Sequence, residues 1–175
     1  MTPRTLIAAL AVALAAVASS CTTFTDSSNV ARVDDETLSA DELSDLMAVF
    51  LGPESIASLG NADGARGAIQ YWLNGEIAKA SLEETGTDVP TEQADAVRAQ
   101  LATVQTFIDA PAATQDTIIE VESTLSVFLQ SPTVNDDFVA TAAAADVYVD
   151  PRYGAFVPPP AGVGPLDVAT VVALQ

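Results

Sequence analysis

Apolar residues recur at helical spacing along most of this chain, with short extended stretches near both ends of the patterned region. Val30-Ala31-Arg32-Val33 alternates weakly, and Glu36-Thr37-Leu38 resumes the extended pattern after Asp34-Asp35. Aspartate tolerates positive φ, so this pair predicts the turn of a tight β-hairpin, although Asp-Asp is a poorer turn than Asn-Gly. Ser39 and Glu42 then stand at the spacing of a capping box, with Ser39 as N-cap and Glu42 reaching back to its amide. The helix they open carries Leu43, Leu46, Met47 and Phe50 on one face, and Gly52-Pro53 stops it. From Gly52 to Ala62 the sequence reads as loop.

A longer helix is predicted from about Asp63 to Glu84, with Ala65, Ile69, Trp72, Leu73, Ile77 and Ala80 as its apolar stripe. Gly86 is placed to be its left-handed C-terminal cap. Gly67 and Gly75 lie inside it, each costing about 1 kcal/mol against alanine, which points to close helix packing there. Thr91 is read as the cap of a third helix. Ala94, Val97, Leu101, Val104 and Ile108 recur there at spacings of three and four, a narrow coiled-coil-like seam suited to an antiparallel helical hairpin. Pro111 suits the first turn of a fourth helix whose Ile118, Val121, Leu125 and Phe128 face inward. Ser131-Pro132 restarts a fifth, alanine-rich helix through Phe138 to about Ala145. Val147-Tyr148-Val149 reads as a strand closed by Asp150-Pro151, and from Phe156 onward a proline- and glycine-rich tail predicts no regular structure. The pattern therefore predicts a mainly α fold: about five helices in a bundle, a short N-terminal β-hairpin and a C-terminal strand.

The segment ahead of this pattern is different. Arg4 precedes an apolar run of 13 residues, Leu6 to Ala18. A membrane span needs about 20, so the run is short for a span and fits the hydrophobic region of a signal peptide. Small residues follow, and then Cys21, the sole cysteine. Ala18-Ser19-Ser20-Cys21 resembles the lipobox of bacterial lipoproteins, which implies cleavage before Cys21 and its lipidation with diacylglycerol and acyl (palmitate-type) chains. Ordinary cleavage after Ala18 would instead leave Cys21 as a free thiol, a liability outside the cell. The reading adopted is a signal peptide over 1–20, a lipidated polar tether over 21–29, a helical domain over 30–155 and the tail over 156–175. The protein is then exported and held by lipid at the outer face of the cytoplasmic membrane or in the cell envelope, two or more chains giving stable attachment.

Charge narrows the choice of partner. The whole chain carries −18, and without residues 1–20 it keeps five basic against 24 acidic side chains, a net −19. Such a body repels phosphate backbones, which excludes nucleic acid, and repels anionic headgroups, so the membrane is met through the lipid alone.

The order of segments also resembles a family. NVARVDDETLSADELSDLM is similar to the opening of SurA/parvulin-type envelope foldases and chaperones, where a short hairpin leads into a capped helix. AIQYWLNGEIAKASLEETGTDVPTEQADAVRAQL resembles their next segment, with Gly86, Val89, Thr91 and Glu92 at the positions of its turn and cap. AADVYVDPRYG looks like the closing strand of short actinobacterial members. The resemblance spans roughly residues 29–155 and implies a SurA N-terminal-like helical domain with chaperone-like binding of polypeptide. Members with prolyl isomerase activity carry an inserted parvulin domain with paired histidines. This chain has no room for the insertion and no histidine, so the isomerase is missing.

Other chemistry finds little footing in the sequence. Asp34, Asp35 and Glu36 are explained by a hairpin turn, Asp136-Asp137 by a helix start, and Glu120 and Glu122 point in different directions on one helix. No catalytic residue, cofactor site or metal site is assigned, and an enzyme is not expected. Tyr71, Trp72 and Tyr153 are the candidate partner-binding aromatics, with core packing as the competing reading for Trp72 and Tyr153. Two functions remain: a lipid-anchored chaperone-like module for unfolded or exported polypeptides, with basic clients favoured, or a structural adaptor lipoprotein for one folded envelope partner.

Overall fold

The computed structural model describes residues 28–52, 62–157 and 170–172. Residues 1–20, read above as a signal peptide, Cys21, and all but the last two residues of the expected tether therefore lie outside the described residues. Among these residues the chain is mainly helical, with six helices and a three-stranded antiparallel sheet.

Strands β1 (Asn29–Val33) and β2 (Glu36–Ser39) form the hairpin that the alternation predicts. Asp34 takes φ 50°, the left-handed conformation its short polar side chain tolerates. A register shift between Asn29 and Ala31 lets both Val30 and Ala31 turn into the core. The aspartate does more than turn the chain: its carboxylate accepts from the Asp146 amide at 2.9 Å, and its own amide donates to the Asp146 carbonyl at 3.0 Å. Arg32 completes the clamp with an ion pair to Asp146 at 2.8 Å. This fixes β3 (Val147–Val149) on the free edge of β1, giving the order β2-β1-β3.

Helix α1 (Ala40–Leu51) opens on the full capping box: the Glu42 amide donates to Ser39 Oγ at 3.2 Å and the Ser39 amide to Glu42 Oε2 at 2.8 Å. Leu43, Leu46 and Met47 are buried as their spacing predicts. Phe50 is not: it lies in the last turn, 43 % exposed, with its ring edge-on to Tyr71.

Helix α2 (Ala62–Thr85) is the axis of the fold, packed by α1, by the sheet and by the later helices. Ile69, Leu73 and Ile77 are fully buried along it, each worth roughly 1.5–3 kcal/mol of removal from water. Gly86, at φ 66°, ends it in a Schellman motif. The Thr87 amide donates to the Leu82 carbonyl at 2.8 Å and the Gly86 amide to that of Glu83 at 3.0 Å. Gly75 meets the close-packing expectation: a Cβ there would lie 2.6 Å from Val121 Cγ2. At Gly67 nothing lies within 4 Å, so no close approach explains that glycine.

The third and fourth predicted helices need correction. Helix α3 (Thr91–Leu101) has Pro90 as N-cap, held extended at φ −63° and ψ 140°, and Thr91 is its first residue, not a capping side chain. The chain turns at Ala102-Thr103 and restarts as the short α4 (Gln105–Ile108). The seam from Ala94 to Ile108 is thereby broken. Val97 is buried and Ala94 and Leu101 half-buried, but Val104 and Ile108 are 40 % and 46 % exposed. Phe107 enters the core in their place, a side chain with more apolar surface to bury than either. Helix α5 (Ala112–Phe128) takes Pro111 as its N-cap and buries Ile118, Val121 and Phe128, while Leu125 is half-buried. Helix α6 (Val134–Ala144) follows Ser131-Pro132 and seats Phe138 against Phe128, ring centroids 5.8 Å apart.

The start of the tail is also corrected. Phe156 belongs to β4 (Ala155–Val157), which pairs antiparallel with β5 (Thr170–Val172). Backbone pairing, to which proline-free residues at both positions are suited, accounts for structure that composition did not predict.

Candidate functional site

Lys79, the sole lysine of the chain, stands on α2 and pairs with Glu120 of α5 at 2.7 Å. One turn back on the same helix, Glu76 faces the same neighbourhood. Burial pushes its carboxyl up to about 7; Lys79 opposes the shift, and Glu120, Glu36 and Glu83 add to it. The Lys79 ammonium is itself held above its ordinary value by its hydrogen bond to Glu120. A carboxyl titrating near neutrality can exchange protons at physiological pH. Glu76, however, lines a cavity of about 170 Å³ whose other described walls are Val33, Asp34, Asp35, Glu36, Lys79, Ala80 and Glu83, none with a hydroxyl, thiol or imidazole.

Beyond Lys79 the surface opens into a larger groove of about 380 Å³ between α2, α3 and α5. Its making is local. The Schellman turn reverses the chain after Thr85 and carries Asp88 and Val89 across the end of α2, and Pro90 then launches α3. Leu82, Val89, Ala94 and Ile119 form an apolar floor, and Glu83, Asp88, Asp116 and Glu120 ring it with carboxylates. Ser123 lies in the wall but is satisfied, its hydroxyl donating to the Glu120 carbonyl at 3.1 Å. The two cavities are neighbours, both lined by Lys79 and Glu83. Such an arrangement can cover an apolar side chain and hold positive charge beside it. A third cavity of about 470 Å³, where α2 and α5 end beside the start of α6, has Asp137 as the one charged residue of its described lining, already bonded to Thr133. Among the described residues no group of three acidic or other donor side chains is gathered to hold a metal ion, and no helix is long and apolar enough to cross a membrane.

Of the three candidate aromatics, Trp72 and Tyr153 take the core-packing reading. Trp72 is 4 % exposed and part of the core. Tyr71 is half-buried on α2, its hydroxyl 3.4 Å from the Ile118 carbonyl and beside Glu122; burial, then that carboxylate, holds the phenol well above its ordinary range. Tyr153 packs against the core in the turn after β3, with the Arg152 guanidinium 5.6 Å from its ring centre. Glu120 and Glu122 do diverge, one toward Lys79 and the other toward Tyr71. The residues that sequence reasoning missed are Glu76, Lys79, Glu83, Asp88 and Asp116. The available signal was a single lysine set among glutamates three and four residues away on one helix.

No family model matches the chain, and neither a curated protein nor a solved structure matches it.

Proposed function

We infer that this chain is a lipid-anchored, non-catalytic polypeptide-binding module of the cell envelope, chaperone-like in holding segments of unfolded or exported chains. The observation that carries the reading is the open groove between α2, α3 and α5, apolar in its floor and charged at its rim. A site of this size covers one or two side chains of a client, being at the small end of the range for binding pockets. The resemblance of residues 29–155 to SurA/parvulin-type chaperones points the same way, and the missing histidines argue against isomerase chemistry. Attachment through Cys21 would hold the module at the membrane face, the acidic body standing off from it.

The test is paired. The lipid-free mature chain should suppress light scattering by an aggregating unfolded client and leave prolyl isomerisation of a test peptide at its slow uncatalysed rate. In cells, Cys21→Ser should move the protein out of the membrane fraction. A mutant that stays as firmly bound removes the lipoprotein reading, and isomerase activity removes the non-catalytic one.

The adaptor reading has its own support. Phe50 and Leu51 at the end of α1, Val104 at the N-cap of α4 and Ile108 at its last residue are exposed, and the two helices are in contact, the Thr106 hydroxyl donating to the Val49 carbonyl at 3.0 Å. A small focused patch suits one folded partner better than a succession of unfolded ones. Covalent capture of neighbours in intact cells separates the readings, one dominant partner favouring the adaptor and many the chaperone.

A further inference from the structure

Among the described residues, Glu120 is the one acid of the groove's rim that meets a cation, Lys79. Five of the six basic side chains of the chain fall within the described residues, and each closes an ion pair inside the fold. Arg32 is tied to Asp146, Arg66 to Asp63 and Arg152 to Asp150, all away from the groove. The two cations that do line it are also engaged: Lys79 with Glu120 at 2.7 Å, and Arg98 with Asp95 of its own helix at 2.8 Å. Glu83 from α2, Asp88 from the turn and Asp116 from α5 therefore converge on one opening from three parts of the chain without a basic partner. Like charges gathered around a partly enclosed space repel one another, and a cation brought from outside relieves that repulsion. The floor adds a second requirement, because half-buried Val89 and Ala94, above the buried Leu82 and Ile119, offer apolar surface that a purely ionic ligand would not use.

We propose that the groove between α2, α3 and α5 takes a basic polypeptide segment, one apolar side chain seated over Val89 and Ala94 and flanking lysine or arginine meeting Glu83, Asp88 and Asp116. The proposal deepens the polypeptide-binding reading above and rests on it. It gives that reading a place and a sequence preference: apolar residues bracketed by positive charge. Acidic segments are turned away by the same rim that attracts basic ones.

The experiment uses the full mature chain carrying Cys21→Ser and fluorescence anisotropy with a labelled peptide that has a leucine pair between lysines. Two control peptides exchange the lysines for glutamate or the leucines for serine. The basic apolar peptide should bind, both controls should bind more weakly, and affinity should fall as salt rises. Glu83→Gln/Asp88→Asn/Asp116→Asn should weaken binding about tenfold, as expected for three rim pairs lost together. Asp41→Asn/Asp109→Asn/Asp136→Asn, which makes the same change in net charge at exposed positions outside the groove, should leave it within about twofold. Ala94→Phe fills the groove without touching charge and should abolish binding, with circular dichroism and melting temperature showing that the variant is folded. Equal losses in the two charge variants, or undiminished binding by a folded Ala94→Phe, would overturn the proposal. Client aggregation suppressed as well by Ala94→Phe as by the parent also overturns it, while leaving the polypeptide-binding reading intact. Groove-dependent peptide binding without any effect of the parent on aggregation supports the proposal and removes the chaperone reading instead.

Discussion

Helices α3 and α5 lie against each other and carry apolar residues at similar spacings, yet they occupy different depths of the fold. Helix α5 is covered by α2 on one side and α3 on another, and buries Ile118, Ile119, Val121, Phe128 and even the hydroxyl residues Thr114, Ser123 and Thr124. Helix α3 is the outer layer and buries Val97 alone. The difference teaches that spacing of apolar positions reports a helix with an inner face, but not how many neighbours will cover it. It also separates two tasks within one domain. The α2–α5 contact holds the fold together, whereas the thinly covered region beside α3 leaves the groove open.

The largest effect should come from the inner layer. Leu73→Ala removes a fully buried side chain on α2 and should cost roughly 2–5 kcal/mol in a denaturant titration. A loss no larger than that of an α3 variant would erase the distinction between layers.

Gly75→Ala probes the same contact from the backbone side. The new methyl would meet Val121 Cγ2 at 2.6 Å and Cγ1 at 2.9 Å, and valine has little rotamer freedom with which to yield. Overpacking of about 1–3 kcal/mol should outweigh the gain in helix propensity of about 1 kcal/mol. Gly67→Ala, with open space around it, should instead stabilise by about 0.5–1 kcal/mol, and a matching loss at both sites would contradict the close contact.

Leu101→Ala sharpens the outer side of the comparison. A fully buried leucine in a continuous seam would cost roughly 2–5 kcal/mol, but Leu101 is half-buried at the end of α3, so a loss of about 1 kcal/mol is expected. The midpoint shift should fall clearly below that of Leu73→Ala.

The remaining effect is one of pH, at the cavity between α2 and the hairpin. The Glu76 carboxyl is raised from 4.5 to about 7 in the folded chain, so between those values the folded state keeps a proton that the unfolded state has lost. The stability it contributes is fully present below about 4.5 and is lost as pH rises through about 7. Glu76→Gln, neutral throughout, should match the parent in acid and melt higher than the parent at pH above about 7. Parallel melting profiles across that window would show that Glu76 is solvated in the fold.

What could be read from the sequence was what has a local chemical signature. The capping box of Ser39 and Glu42, the aspartate turn at Asp34 and the Gly86 cap each satisfy backbone groups within a few residues, and all three are present. The break between α3 and α4 has no such mark. Ala102-Thr103 contains neither glycine nor proline, and Val104 and Ile108 continue the spacing in phase, so only competition with Phe107 for the core shows where the helix ends. The groove was illegible for a related reason. Glu83, Asp88 and Asp116 are far apart or differently phased along the chain, and it is the α2–α5 contact that gathers them. Trp72 and Tyr71 drew attention by residue type, yet their place on α2 beside the core makes them packing residues first.

The position of β1 in the middle of its sheet sets a timetable for a chain that emerges N-terminus first. One edge of β1 can be closed within moments by β2, which follows after two residues, and the other must wait for Val147–Val149 at the far end of the domain. Through that interval the nascent molecule displays a strand edge of unpaired amides and carbonyls, the very surface on which chains join one another in error. Asp34 and Arg32 stand at that edge and receive β3 through Asp146, so the last strand of this sheet finds its register already written in charge. A protein read as a keeper of unfinished chains is thus itself unfinished until almost its final strand has been made.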